Sequence, residues 1–154
     1  KEKGIIYLVN MFKKHLKNYN LTIVGTKKKF INKRYYNQNV KFADPITNIK
    51  KMITIYDSSK IFILPSYTEG FPKVISESLA RLKPVIIFEE IKHVLNDRNG
   101  IFICKRNEKS IKKTLNYILK NYKNIQNKII RNNFYTKENF KRELLGFIKN
   151  EFKN

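Results

Sequence analysis

The sequence has one cysteine and no cluster of metal ligands. Cys104 stands at the end of an apolar run, so an internal disulfide and a cysteine metal site are excluded, and a small buried side chain is expected. His15 and His93 lie far apart, and no Asp-x-Asp motif occurs. The sequence therefore predicts neither a metal ion nor a cofactor, and we expect both histidines to be structural.

Long apolar runs are also absent. No segment is apolar over the roughly 20 residues that a membrane helix needs, and we recognise no signal peptide. The 154 residues are 42% hydrophobic, which suits one domain with a substantial core. We therefore expect a single cytoplasmic domain.

Acidic residues are scarce, and they are distributed unevenly along the chain. The chain has 33 Lys and Arg against 12 Asp and Glu, a formal charge of +21. Residues 1–60 carry 14 basic and 3 acidic side chains, residues 105–154 carry 14 and 4, and residues 61–104 carry five of each. The basic excess thus lies in the flanks, and the charge pattern does not indicate one groove for a polyanion.

Arginine is also scarce, since only six of the basic residues are Arg and 27 are Lys. Nucleic-acid readers usually depend on the Arg fork for bases and phosphates, so we predict no nucleic-acid partner. An A/T-rich genome would explain the lysines. Attraction to an anionic membrane surface is the main alternative, and it would make the domain peripheral on the inner face of the membrane.

The hydrophobic pattern alternates between helix and strand. It predicts helices over 4–18, 46–57, 72–82 and 90–95, and strands at 21–24, 40–42, 60–64, 84–88 and 100–104, with 27–39 ambiguous. From Glu108 the pattern is helical to the end, with a last helix starting near Thr136. Strands that alternate with helices imply right-handed parallel crossovers, so we predict an α/β fold with a doubly wound parallel sheet.

One segment carries the chemistry. Residues 65–77 read PSYTEGFPKVISE, which places Glu69 in a strand-to-helix loop and Glu77 inside the following helix. Such loops lie at the carboxyl ends of the strands, where ligands bind in open α/β sheets. With its two glutamates eight positions apart, the segment resembles the Glu-x7-Glu signature of family 4 glycosyltransferases, which have the GT-B fold.

The resemblance covers nearly the whole chain but only half of such an enzyme. Residues 52–85 are similar to the family's helix, strand, signature loop, helix and Lys-Pro-Val strand, 99–103 to its Asn-Gly turn and last strand, and 1–6 to its Glu-Lys-Gly step. It implies that residues 1–154 are a Rossmann-like C-terminal donor domain lacking its first strand, the following loop with a diphosphate-binding Arg, and the N-terminal acceptor domain. Gly25 is followed by Thr-Lys-Lys-Lys, where the family often has a Gly-x-Gly turn.

The resemblance implies a role for each residue of the signature. Glu69, our candidate catalytic residue, would bind hydroxyls of the donor sugar, and Glu77 would bind the ribose. The donor diphosphate would lie at the first turn of the helix, formed by Phe71, Pro72, Lys73 and Val74, because free backbone N–H groups and the helix dipole favour an anion there. Gly70 would let the backbone approach the ligand, and Lys3 would add a positive charge.

Each of these roles has a structural alternative. Glu77 could pair with Lys73 on a solvated helix face, Glu69 could be an ordinary loop carboxylate, and Lys3 a frayed terminal lysine. The resemblance also implies that the nucleobase would lie against Phe42, Ala43 and Asp44, and Phe42 could equally be a core residue.

The sequence thus predicts the donor-binding half of a retaining glycosyltransferase that moves a hexose from a nucleoside diphosphate sugar to a saccharide or lipid-linked acceptor. A glycosidase reading of the two glutamates is rejected, because nothing makes them flank one bond. Three alternatives stay open: a sugar-nucleotide epimerase of the same fold, a basic module that binds nucleic acid or membrane, and a folded fragment without chemistry.

Overall fold

The computed structural model describes residues 4–27, 29, 31–95 and 98–132. Five strands alternate with helices along this part of the chain. In chain order they are α1 (Ile5–Lys14), β1 (Leu21–Val24), β2 (Val40–Ala43), α2 (Ile49–Ser58), β3 (Phe62–Leu64), α3 (Lys73–Ala80), β4 (Val85–Phe88), β5 (Ile101–Cys104), α4 (Glu108–Lys120) and α5 (Tyr122–Ile130). Two 3-10 segments, Lys33–Tyr35 and Glu89–Val94, lie between them.

All strand pairs are parallel, as predicted. β1 pairs with β2, and β3, β4 and β5 form a second sheet in that order. All four residues of β4 are fully buried, which is typical of a central parallel strand covered by helices on both faces. The predicted α/β fold with a parallel, Rossmann-like sheet is confirmed.

The core joins both sheets to the apolar faces of the helices. α1 buries Leu8, Val9 and Phe12, and α4 buries Ile111, Leu115 and Ile118. These residues recur every three or four positions, the spacing that gives a helix one apolar face. Cys104 is buried in the same core, and burial raises the pKa of its thiol, so the cysteine is a core side chain, as expected.

Several elements are shorter in the structure than the sequence predicted. α1 ends at Lys14 rather than at residue 18, and α2 begins at Ile49 because the side chain of Asn48 accepts a hydrogen bond from the Lys51 N–H and caps it there. The short helix predicted at 90–95 is the 3-10 segment Glu89–Val94. The last helix predicted near Thr136 lies outside the described residues, and so does Lys3.

No helix in the described ranges combines the length and the apolarity needed to cross a bilayer.

Candidate functional site

The parallel pairing brings the loops after β3, β4 and β5 to one edge of the sheet. The signature loop, residues 65–72, follows β3 there and leads into α3. Ser66 is completely buried, Glu69 is half-buried, and Phe71 is 70% exposed. The loop therefore has a fixed base and an exposed tip.

Glu69 is held at its side chain and at its backbone. The hydroxyl of Ser66 donates a 2.6 Å hydrogen bond to Oε1 of Glu69. The Nε2 atom of His93 lies 2.7 Å from the backbone oxygen of Glu69; because a carbonyl only accepts, the ring N–H donates. His93 thus has a structural role, as we expected: it anchors the signature loop to the 3-10 segment Glu89–Val94.

Arg106 follows β5, at the opposite edge of the β3–β4–β5 sheet, and contacts the same loop. Its Nη2 donates to the backbone oxygens of Pro65 at 2.9 Å and Ser66 at 2.7 Å. Its Nε donates to Glu90 at 2.6 Å. The Arg106 side chain follows β5, crosses the end of β4 and ends at the base of the loop after β3, so it ties together three neighbouring strands.

The guanidinium of Arg106 lies between aromatic rings. Its central carbon is 3.8 Å from the ring centre of Tyr67 and 4.2 Å from that of Phe88. Only 11% of the side chain is exposed. Such stacking, together with charge-assisted hydrogen bonds, is what a planar guanidinium provides and an ammonium does not.

The N-terminus of α3, which the sequence predicted as the anion-binding element, begins later than expected. The helix begins at Lys73; Pro72 is its N-cap and makes no side-chain capping bond, and Phe71 precedes the helix. The expected first turn of residues 71–74 is therefore corrected to one that starts at Lys73. Pro72 has no side-chain acceptor, and the Ile75 N–H donates to the Pro72 carbonyl at 3.0 Å, so the N–H groups of Lys73 and Val74 are the ones left for an anion. Gly70 beside them lies in open space: an added methyl group would meet no described atom within 4 Å.

Glu77 lies on the exposed face of α3, and its partner is Tyr56 of α2. The Tyr56 hydroxyl donates a 3.0 Å hydrogen bond to Oε2 of Glu77. Burial, and then this hydrogen bond, raise the pKa of Tyr56, which keeps the phenol protonated. The described residues show no ion pair between Glu77 and Lys73, so the alternative of a Lys73 pair is not what the structure contains. The tyrosine leaves Oε1 of Glu77 available to a ligand.

The residues named for the nucleobase differ in exposure. Phe42 is buried, and its ring lies 5.1 Å from that of Tyr36, so it occupies the core position that the sequence left open. Ala43 is half-buried at the end of β2, and Asp44 is exposed just beyond it. Ala43 and Asp44 thus lie where the carboxyl end of β2 meets solvent.

A cavity of about 1070 Å³ lies beside the signature loop and the start of α3, and Glu77, Phe42, Ala43 and Asp44 are not among the residues that line it. It is lined by Gly25 and Thr26 after β1, Pro45 and Ile46 after β2, Ser66 and Glu69 of the signature loop, and Pro72, Lys73 and Val74 at α3. It also runs down between the two sheets, where the residues of β1 and β3 line it. In the described part of the chain, no three His, Cys, Asp or Glu side chains converge as a metal site requires.

Comparison with known proteins assigns the family. The family model for glycosyl transferases group 1 matches residues 1–135. The chain belongs to this family. An uncharacterized glycosyltransferase of Haemophilus influenzae is 30% identical over 114 residues, which are 68% of this chain and 32% of that protein. The chain thus spans about a third of the length of this curated relative.

The fold is shared with a solved glycosyltransferase structure. Sucrose-phosphate synthase from Thermosynechococcus elongatus superposes with a TM-score of 0.70 over 98% of this chain and 43% of that protein, at 17% sequence identity. At this identity the likeness concerns the fold. It agrees with the parallel, Rossmann-like sheet expected from the sequence.

Sequence reasoning missed the residues that support the loop. Ser66, His93 and Arg106 are separated by up to 40 positions, and no spacing pattern links them. One signal was present: Arg106 follows the last predicted strand, and the loops after parallel strands share one edge. A search for charged residues in every such loop would have selected it.

Proposed function

We propose that this chain is the donor-binding domain of a retaining glycosyltransferase, which transfers a hexose from a nucleoside diphosphate sugar to a saccharide or lipid-linked acceptor. The observation that carries the proposal is that Glu69 and the N-terminus of α3, which has no side-chain capping bond, line one cavity at the carboxyl edge of a parallel sheet. This is the place and the chemistry that a diphosphate sugar requires. Family membership supports glycosyl transfer.

Each part of the donor has a proposed partner. The diphosphate accepts hydrogen bonds from the first N–H groups of α3, with the Lys73 and Lys3 charges nearby in sequence. The Glu69 carboxylate accepts hydrogen bonds from hydroxyls of the sugar, Oε1 of Glu77 binds the ribose, and the base lies beside Ala43 and Asp44. A donor phosphate that takes the acceptor's proton would make a separate protein base unnecessary in this domain.

Glu69→Ala tests the assignment of the sugar. The preference is the ratio of the affinity for the nucleotide sugar to the affinity for the bare nucleoside diphosphate. We expect this ratio to fall roughly tenfold or more in the variant, because charge-assisted hydrogen bonds to the sugar disappear. Affinity for the bare nucleotide should change little. Calorimetry on the protein extended by its native upstream residues, with UDP and UDP-glucose and with the GDP and ADP pairs, measures both constants. Glu89→Ala is the matched control, since Glu89 is an exposed glutamate at the same edge after β4. Equal loss for both ligands in Glu69→Ala would contradict the assignment.

We also propose that an additional strand completes the sheet between β1 and β3. β1 is paired with β2 alone and β3 with β4 alone among the described strands. All residues of both strands line the same cavity, with apolar side chains of α1 and α2. Gly4 at the start of α1 lies against the Pro65 backbone at the carboxyl edge, and a strand that precedes α1 in a right-handed crossover would lie next to β1.

The extension of the chain by its native upstream residues tests this strand. We expect the amides of β1 and β3 to gain protection from hydrogen exchange, because their unpaired edges would be covered. Nucleoside diphosphate affinity should rise as well, because the loop after the added strand would reach the diphosphate. Equal protection and equal affinity in the two proteins would contradict the proposed strand and loop.

A cytoplasmic location, with the lysine-rich flanks against an anionic membrane surface, is part of the same proposal. Vesicle binding that falls steeply with salt while nucleotide binding persists would support it.

A further inference from the structure

We propose that Arg106 is a positioning residue for donor-sugar recognition: it fixes the backbone of Pro65 and Ser66, and through the Ser66 hydroxyl it sets the direction of the Glu69 carboxylate. The inference rests on the function proposed for Glu69. It adds a residue that neither the signature nor its spacing contains.

Arg106 contacts the loop backbone directly. Two consecutive carbonyl oxygens, those of Pro65 and Ser66, accept from the same Nη2 atom at 2.9 and 2.7 Å. These are the first two residues after β3. A charged donor shared by adjacent carbonyls restricts the peptide plane between them, because both oxygens must face one nitrogen.

Arg106 is itself held in place by its neighbours. Glu90 binds its Nε at 2.6 Å, and the rings of Tyr67 and Phe88 hold the guanidinium plane at 3.8 and 4.2 Å. At its own end, the backbone is set by the start of α4, where the Asn107 side chain accepts from the Ser110 N–H at 2.8 Å. Because the Arg106 side chain is held at both ends and on the faces of its guanidinium, it moves little and restrains the loop backbone that it contacts.

Ser66 links the loop backbone to the Glu69 carboxylate. Ser66 is fully buried, and its hydroxyl donates to Glu69 at 2.6 Å. The position of that hydroxyl follows from the Ser66 backbone, which Arg106 holds. His93 restrains the Glu69 backbone from the 3-10 segment that also carries Glu90. A carboxylate that must meet sugar hydroxyls depends on such support, since small displacements cost much of the gain from orientation.

Arg106→Lys is the test, because it keeps the charge but loses the planar fork and the stacking. In calorimetric titrations with UDP, UDP-glucose and the GDP and ADP pairs, we expect the preference for the sugar conjugate to fall roughly three- to tenfold with bare-nucleotide affinity nearly unchanged. Ser66→Ala should give a similar fall. The double variant should lose no more than the larger single effect, because both act through Glu69.

Arg81→Lys is the matched control, since Arg81 forms an exposed pair with Asp57 away from the loop. Its preference for the sugar conjugate should equal that of the unmodified chain. If Arg106→Lys does not fold, Glu90→Gln replaces it: that variant frees the guanidinium on one side only and should reduce the preference to a smaller extent.

Glu69→Ala tests the proposed function, and the Arg106 and Glu90 variants test the positioning role. If the unmodified chain prefers the sugar conjugate and Glu69→Ala abolishes that preference, the proposed function stands. An unchanged preference in the folded Arg106 or Glu90 variant would then overturn the positioning role alone. An equal loss of affinity for both ligands, or a lower melting temperature with the preference intact, would show that Arg106 has a purely structural role. Either result would also overturn the positioning role.

Discussion

Replacement of Glu77 by glutamine is expected to weaken nucleoside diphosphate binding by about 1.5 to 3 kcal/mol, because a neutral amide replaces a carboxylate that accepts hydrogen bonds from ribose hydroxyls. Bare and sugar-linked nucleotides should be affected alike, since both contain the ribose. Stability should hardly change: Glu77 is exposed, and the amide oxygen of glutamine can still accept from the Tyr56 hydroxyl. Calorimetry and thermal unfolding of the same preparation measure the two quantities.

Tyr56→Phe is the control for the Glu77 prediction. It removes the 3.0 Å hydrogen bond to Glu77 but keeps the carboxylate and the ring. We expect a smaller loss of nucleotide affinity than in Glu77→Gln, because a carboxylate without its tether can still bind. If Glu77→Gln destabilised the fold and left affinity intact, Glu77 would have a structural role and the ribose assignment would be wrong.

The largest effect on stability is expected for Gly4→Ala. Gly4 has φ +61°, a left-handed conformation that costs an L residue energy. Its added methyl group would collide with the Pro65 backbone oxygen, and it would lie 2.9 Å from the Pro65 carbonyl carbon and 3.2 Å from Nη1 of Arg106. Strain and overpacking together should cost about 2 to 4 kcal/mol of unfolding free energy.

Gly25→Ala separates the two causes of the Gly4 effect. Gly25 also has positive φ, +100°, but an added methyl group there meets no described atom within 4 Å. Urea unfolding should therefore show a loss of only about 1 to 2 kcal/mol for Gly25→Ala, from backbone strain alone. A Gly4→Ala protein that is no less stable than Gly25→Ala would show that α1 and the signature loop are not in the close contact described.

The order and type of the elements could be predicted because local patterns determine them. The apolar runs of β1, β3, β4 and β5 stand between helices with one apolar face, and a parallel sheet follows from that alternation. The signature loop could be placed for the same reason, since it connects one such strand to one such helix. The helix boundaries depended on caps: Pro72 lies before α3 and not in it.

The support of the site could not be predicted, because it depends on contacts between distant positions. Arg106 meets Ser66 40 residues away, and Tyr56 meets Glu77 across 21. From the sequence alone, Arg106 and Tyr56 could equally have pointed to solvent. The burial of Phe42 has the same origin, since its neighbour Tyr36 comes from the stretch 27–39 that has no clear periodicity.

The most direct test of the donor site is a calorimetric comparison of three proteins: the unmodified chain, Glu69→Ala and Glu77→Gln, each extended by its native upstream residues. Each is titrated with UDP, GDP and ADP and with their glucose conjugates. We predict one-to-one binding of one nucleotide pair, with the sugar preference lost in Glu69→Ala and affinity for both ligands lowered by about 1.5 to 3 kcal/mol in Glu77→Gln. Three folded proteins that bind no nucleotide, or that bind all of them equally with a steep dependence on salt, would contradict the account.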